Sequence, residues 1–180
     1  MKTSSQQLLE ELTEMTRKNI SAVMAFKKLS ADELNRKSHP KSWSILECIE
    51  HLNRFGDFYI PEIKRAINQS KYDASEYFKS GFIGNRFAES MLPNSQMKKM
   101  KSPKAMNPIN SNLNRQVLDK FLHQQDQLLK ILKKAETVSL TKTKVSTSLS
   151  RFLKLRLGDV LRAVIYHNLR HIKQAEKIIL

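Results

Sequence analysis

Apolar side chains recur at three- and four-residue spacing along four long stretches of the chain. In the first, about residues 5–28, Leu8, Leu12, Met15, Asn19, Ala22 and Phe26 fall on one row, and Leu9, Ile20 and Val23 widen it. That period predicts an amphipathic helix. Glu10, Glu11 and Glu14 near its start and Lys27 and Lys28 at its end suit the helix dipole. Ser30-Ala31-Asp32-Glu33 has the form of a capping box and opens a short helix to Lys37, before Pro40 breaks the chain. A second long helix is expected over about 43–69, with Ile45, Cys48, Ile49, Leu52, Phe55, Tyr59, Ile63, Ala66 and Ile67 as its stripe. Pro61 falls inside it and is expected to kink it or loosen one turn. The third, about 111–136, carries Leu113, Val117, Phe121, Leu128, Leu129 and Leu132. The fourth begins at Asp159, with Gly158-Asp159 as its N-terminal boundary, and runs to residue 180 through Val160, Leu161, Val164, Ile165, Ile172, Ala175 and Ile179.

Residues 70–109 break this order. Gly81, Gly84, Pro93, Pro103 and Pro108 punctuate them, leaving room for one short helix around Asn85–Met91. Long irregular segments of this kind tend to be functional or mobile. Thr137–Ser150 is rich in Ser and Thr, and Val138, Leu140, Val145 and Leu149 support a short extended piece there. No internal repeat is visible. The fold class expected is all-α: one domain over residues 1–180, built as a four-helix bundle with a long irregular connection between its second and third helices.

Composition narrows this further. A chain of 180 residues bounds the answer to one well-buried domain. With 40% hydrophobic and 27% charged residues, general disorder is excluded. The single cysteine excludes an intramolecular disulfide framework and a cysteine zinc ribbon. The longest uncharged stretch, Ala105–Asn114, is polar and holds a proline, so no membrane span is expected. Residues 1–7 lead into a helical pattern with no apolar signal region, and a cytoplasmic location is the expectation.

The net charge of +15 is uneven, since residues 101–180 carry 16 basic and 5 acidic groups. No acid lies between Glu136 and Asp159, nor from Ser90 to Leu118, where Lys98, Lys99, Lys101, Lys104 and Arg115 fall. Such a field attracts anions. Aromatics do not interleave with these cations, and no zinc finger, basic zipper or RNA-binding sheet motif occurs. Nucleic acid is therefore not the expected partner.

Of the five histidines, His39 sits in a Ser-His-Pro turn and His123 in a polar run of the third helix. His167 and His171 are four apart, so their imidazoles share one face of the last helix. His51 lies on the second helix among Cys48, Leu52 and Phe55. Three neutral imidazoles from two facing helices suit zinc or another divalent ion with open positions. Hydrogen-bonded core histidines are the competing reading, and spacing alone leaves both open. There is no HExxH signature, because Asn168 follows His167, and no Glu-x-x-His pair for a di-iron site.

Two segments resemble a known family. Ser42-Trp43-Ser44-Ile45-Leu46-Glu47-Cys48-Ile49-Glu50-His51-Leu52 is similar to the start of the second helix in the DinB-like (DNA-damage-inducible) superfamily, where a Trp-Ser pair precedes a histidine. Leu157-Gly158-Asp159-Val160-Leu161, followed by His167-Asn168-Leu169-Arg170-His171-Ile172-Lys173-Gln174, resembles that family's last helix, with two histidines four apart and a glutamine three residues on. Phe78–Pro108 lies outside the general pattern. The resemblance implies a divalent metal, nickel or zinc, on His51, His167 and His171. It also implies small-molecule chemistry, since related members include transferases and isomerases that use bacillithiol, mycothiol or glutathione, and it makes a homodimer plausible.

On that footing the expected function is a metal-dependent enzyme, with thiol-dependent S-transfer to small electrophiles as the leading reaction. A non-enzymatic metal-binding or dimeric interaction protein is the alternative. Glu47, Tyr59 and Gln174 are the candidates for orienting the ligands, with core or rim packing the competing reading of Tyr59. Arg54, Arg86 and Arg170 are candidates for holding carboxylates of a thiol cofactor, with an ordinary surface role the favoured reading of each. Trp43 is expected to anchor the helix start, Cys48 to be a core residue, and Tyr166 to pack near the site.

Overall fold

The computed structural model describes residues 1–93, 102–148 and 150–179, the side chain of Arg151 apart. Lys98, Lys99, Lys101 and Leu149 of the sequence reading lie outside the described residues. Among the described residues the architecture is mostly helical, with six α-helices and two small sheets.

Each long helix starts where a side chain can satisfy its free amides. Helix α1, Ser5–Phe26, is capped by Ser4, whose Oγ accepts from the Gln7 amide. The short α2, Ala31–Asn35, carries the expected capping box between Ser30 and Glu33. A second capping box, Ser44 with Glu47, opens α3, Ile45–Asn68. That helix continues through Pro61, the residue expected to kink it or loosen one turn. Pro61 strands only the carbonyl of Asp57, and both residues are exposed, so water can take up the lost bond.

Helix α4, Phe82–Ser90, is longer than the piece expected around Asn85–Met91. Helix α5, Gln116–Ala135, begins later than residue 111, because the chain turns at Asn114, whose Oδ1 accepts from the Gln116 amide. Helix α6, Leu157–Glu176, begins two residues before Asp159 and stops short of residue 180.

The strands were largely unforeseen. β1, Lys2–Ser4, pairs antiparallel with β2, Tyr77–Lys79, placing Thr3 opposite Phe78. β3, Lys144–Thr147, pairs antiparallel with β4, Ser150–Arg156, placing Val145 opposite Leu155. The extended piece expected within Thr137–Ser150 is therefore one arm of a hairpin that extends to the first residue of α6.

Asp159 does more than mark a helix start. Its carboxylate accepts the Gly81 amide at 2.9 Å and the Ser80 hydroxyl, so it holds the N-terminus of α4 against α6. Arg162, one turn on, donates to Asn85 Oδ1 at 2.9 Å. Gly158 is required by packing: a Cβ there would stand 2.5 Å from the ring of Phe78, the central residue of β2.

The long helices pack in a ring, α1 against α5 and α6, and α3 against the same two. Their interior holds two apolar clusters. One contains Leu8, Leu12, Tyr59, Ile63, Leu128, Leu132, Val160 and Val164, the other Val23, Phe26, Ile45, Ile49, Phe121 and Ile172. On every long helix, buried polar residues fall between the two: Thr16 and Asn19 on α1, Asn53 on α3, Gln124 and Gln125 on α5, His167 and Asn168 on α6. Asn168 donates to Gln125 Oε1 at 3.1 Å, and Gln124 donates to the Asn53 carbonyl at 3.1 Å. Both amide atoms of Asn19 lack a protein partner. Among the described residues no helix is long and apolar enough to cross a membrane.

Candidate metal centre

His51 stands in the second turn of α3, which Ser44 and Glu47 start, and His167 and His171 stand one turn apart on α6. Packing of α3 on α6 brings the three together. One ligand nitrogen from each imidazole lies within 4.8 Å of the others, the one such group among the described residues. His51 and His167 are 5% and 6% exposed. His171 is more exposed as a residue, but its imidazole is enclosed with the other two.

Hydrogen bonds fix which nitrogens are free. Nδ1 of His51 lies 2.7 Å from the Met106 carbonyl, which can only accept, so Nδ1 carries the proton and Nε2 keeps its lone pair. Nδ1 of His171 lies 3.0 Å from Gln174 Oε1, which in the same way leaves Nε2 of His171 a donor to an ion. Nε2 of His51 and Nε2 of His167 face each other at 3.2 Å, while Nδ1 of His167 is buried without a protein partner.

Burial holds all three imidazoles neutral. It is the largest cause of the lowered pKa at His51, with Arg54 adding to it, and at His167, where His171, His51 and Arg170 add. At His171, burial followed by the charge of His51 lowers the pKa to about 3. Neutral imidazole is the ligand form. The residues therefore fit a divalent ion: three neutral nitrogen donors, two of them turned by an outer acceptor as metal-bound histidines usually are.

The other expected residues divide. Gln174 Oε1 lies 3.0 Å from Nδ1 of His171. Glu47 does not touch His51; its carboxylate caps the Ser44 amide at 2.8 Å, pairs with Lys37 at 2.8 Å and accepts the Asn110 amide at 2.6 Å. Tyr59 reaches the site only through Phe55, whose ring lies 4.4 Å from Tyr59 and 4.2 Å from His167; its hydroxyl meets Ser148 at 3.1 Å.

The remaining candidates are spread out. Arg170 is buried and donates to the Leu92 carbonyl at 3.3 Å. Arg86 is exposed on α4. Tyr166 packs beneath the Arg162 guanidinium at 5.6 Å. Cys48 is fully buried, and burial pushes its thiol pKa up. His39 and His123 are exposed.

Sequence reasoning missed the part played by residues 105–107. The Met106 carbonyl is a backbone group and leaves no side-chain signal. Trp43 was read as a helix anchor, yet its ring lies 4.8 Å from that of His51 and 5.5 Å from that of His171. Its Nε1 donates to Asn107 Oδ1 at 3.1 Å.

The family model of the DinB superfamily matches residues 12–175, and the chain belongs to that superfamily. No curated protein and no solved structure matches well enough to add a relative or a structural neighbour.

Proposed function

We propose, from its place in the DinB superfamily, that this chain is a divalent-metal-dependent enzyme built as a four-helix bundle, with nickel or zinc held by His51, His167 and His171. The observation that carries this is the convergence of three neutral imidazole nitrogens within 4.8 Å in an otherwise buried setting. A bound divalent ion is a Lewis acid that lowers the pKa of a coordinated thiol and leaves a thiolate at neutral pH. The leading reaction is transfer of a small thiol to an electrophile. The chain's own residues do the supporting work. Met106 and Gln174 hold the ligand rings, and Phe55 and Trp43 pack apolar rings against the histidines, which limits water beside them.

A non-enzymatic metal-binding or dimeric role is the second reading. It is favoured by the state of the neighbouring reactive groups. Cys48 is inaccessible, the Tyr59 hydroxyl is bonded to Ser148, and Glu47 is bonded to Lys37, Ser44 and Asn110.

One experiment separates the two. Untagged protein is loaded with nickel or zinc, analysed for metal content, and assayed for loss of a low-molecular-weight thiol with a small electrophile. About one equivalent of metal with turnover, both lost in the His167→Ala/His171→Ala double variant, supports the enzyme. One equivalent without turnover supports the second reading. No metal in the wild type overturns the enzyme and the metal-binding role and leaves the dimeric interaction role standing.

A further inference from the structure

Arg54 is tied down on every side. Its Nε donates to Glu50 at 3.0 Å, one helical turn back. One terminal nitrogen donates to the carbonyls of Asn107 at 3.1 Å and Ala105 at 3.4 Å, and the other reaches Ser111 Oγ at 3.5 Å. These commitments leave little of the guanidinium for a cofactor carboxylate. They place it beneath the segment that touches the histidines. Between the two carbonyls it grips stands Met106, whose own carbonyl meets His51 Nδ1 at 2.7 Å. Asn107 holds the Trp43 indole, which packs on both His51 and His171. A few residues on, the Asn110 amide is bound by Glu47, so three residues of α3 (Glu47, His51 and Arg54) meet the segment.

A fork-shaped guanidinium suits this task better than an ammonium would, because it presents several donors in fixed directions. A backbone carbonyl, in turn, sets the tautomer of an imidazole only while it stays in place. Residues 105–107 belong to a single 3-10 turn, Lys104–Met106, and its exit, with little regular structure of their own to hold them.

We propose that Arg54 is a positioning residue of the metal centre: it clamps residues 105–107 so that the Met106 carbonyl keeps His51 in its Nδ1–H form and Asn107 keeps Trp43 against two of the ligands. The proposal rests on the reading that the triad holds an ion. It makes a prediction of opposite sign to simple electrostatics. Arg54 is a cation beside a cation site, so on Coulomb's law alone its removal tightens metal binding. As a clamp, its removal weakens binding, by about ten- to a hundredfold, as loss of a ligand's outer partner does.

The test is a zinc titration of metal-free protein against a chromophoric chelator, followed also by emission of Trp43, the chain's one tryptophan. Wild type, Arg54→Ala and Arg54→Lys are compared. The expected result is weaker zinc binding in Arg54→Ala and part recovery in Arg54→Lys, which keeps the charge but not the fork. Binding in Arg54→Ala as tight as wild type, or tighter, overturns the proposal. A wild type that binds no zinc instead overturns the metal reading itself. In that case the tautomer of His51, read by long-range 1H–15N correlation in metal-free protein, still decides the clamp: a mixture of tautomers in Arg54→Ala supports it, and an unchanged Nδ1–H form refutes it. Should Arg54→Ala fail to fold, Asn107→Ala frees the indole and the Ile109 amide while keeping the backbone carbonyl that Arg54 grips. It is expected to shift Trp43 emission and weaken zinc about tenfold, the low end of the same range, and wild-type values for both refute the clamp.

Discussion

Nε2 of His51 and Nε2 of His167 stand 3.2 Å apart, within hydrogen-bonding reach. Since Nδ1 of His51 is bound to a carbonyl, its Nε2 can only accept, and the proton between the two rings belongs to His167. The buried Nδ1 of His167 is then the unprotonated nitrogen of that ring, an acceptor without a protein donor. An ion that takes both Nε2 lone pairs must displace this proton.

Zinc loading should therefore switch His167 from the Nε2–H to the Nδ1–H tautomer, while His51 and His171 keep their protons on Nδ1. Long-range 1H–15N spectra of selectively labelled protein, with and without zinc, check this. An unchanged His167 signal in loaded protein would show that the ion sits elsewhere.

The metal-free protein should lose stability in mild acid. The three imidazoles have folded pKa values below the ordinary value of 6.5, so the folded state binds fewer protons than the unfolded chain. Stability is then complete above about pH 6.5 and falls as pH drops toward about 3, where His171 takes its proton. The limiting slope is about 1.4 kcal/mol per pH unit for each site. Denaturation midpoints between pH 7.5 and 5 should show this fall, and His171→Gln should flatten it.

Cys48 should be chemically silent in the folded protein. It is fully buried, and its thiol is held protonated by burial and by the neighbouring Glu47. Iodoacetamide at pH 8 should leave it unmodified for as long as the chain is folded and alkylate it after denaturation. Rapid labelling of the native protein would show that the thiol is accessible in the folded state.

Gly158→Ala should destabilise the fold by about 1–3 kcal/mol, the usual cost of overpacking a filled interior. The added methyl meets the Phe78 ring, which the backbone of β2 holds in place. Urea denaturation of the single variant and of Gly158→Ala/Phe78→Leu measures this. Relief in the double variant is expected, and equal loss in both would assign the effect to the backbone instead.

The long helices were legible because Leu8, Leu12, Ile45, Ile49, Phe121, Leu128, Val160 and Val164 repeat with the helical period and all face the interior. Their ends were less so. The start of α5 depends on the turn at Asn114, and the start of α6 on continuity with β4. A strand signal was present in Leu153-Lys154-Leu155-Arg156-Leu157, where leucines alternate with cations, but the same residues read as a basic, acid-free window. β1 and β2 are three residues each and pair over a long sequence separation, too short to show a period. At the site, His167 and His171 could be paired by spacing alone. His51 could be set beside them as a third imidazole on a facing helix, and the resemblance made the three a ligand set with Gln174 three residues on. Glu47 was misassigned because a position one turn from His51 also serves the helix start, and the capping box engaged its carboxylate.

The layer of polar side chains between the two apolar clusters has a consequence for how this interior accommodates change. Close-packed hydrocarbon yields poorly, since any displaced atom leaves a void or a collision. A stratum of amides and imidazoles can instead trade one partner for another without moving a helix. The ligand rings of His51 and His167 lie at this stratum, beside Asn53 and Asn168. The bonds from Asn168 to Gln125 and from Gln124 to the Asn53 carbonyl are of this exchangeable kind, and Asn19 brings to the layer an amide without a protein partner. The oily halves on either side stay shut, much as a gasket takes up movement that the plates it joins do not feel.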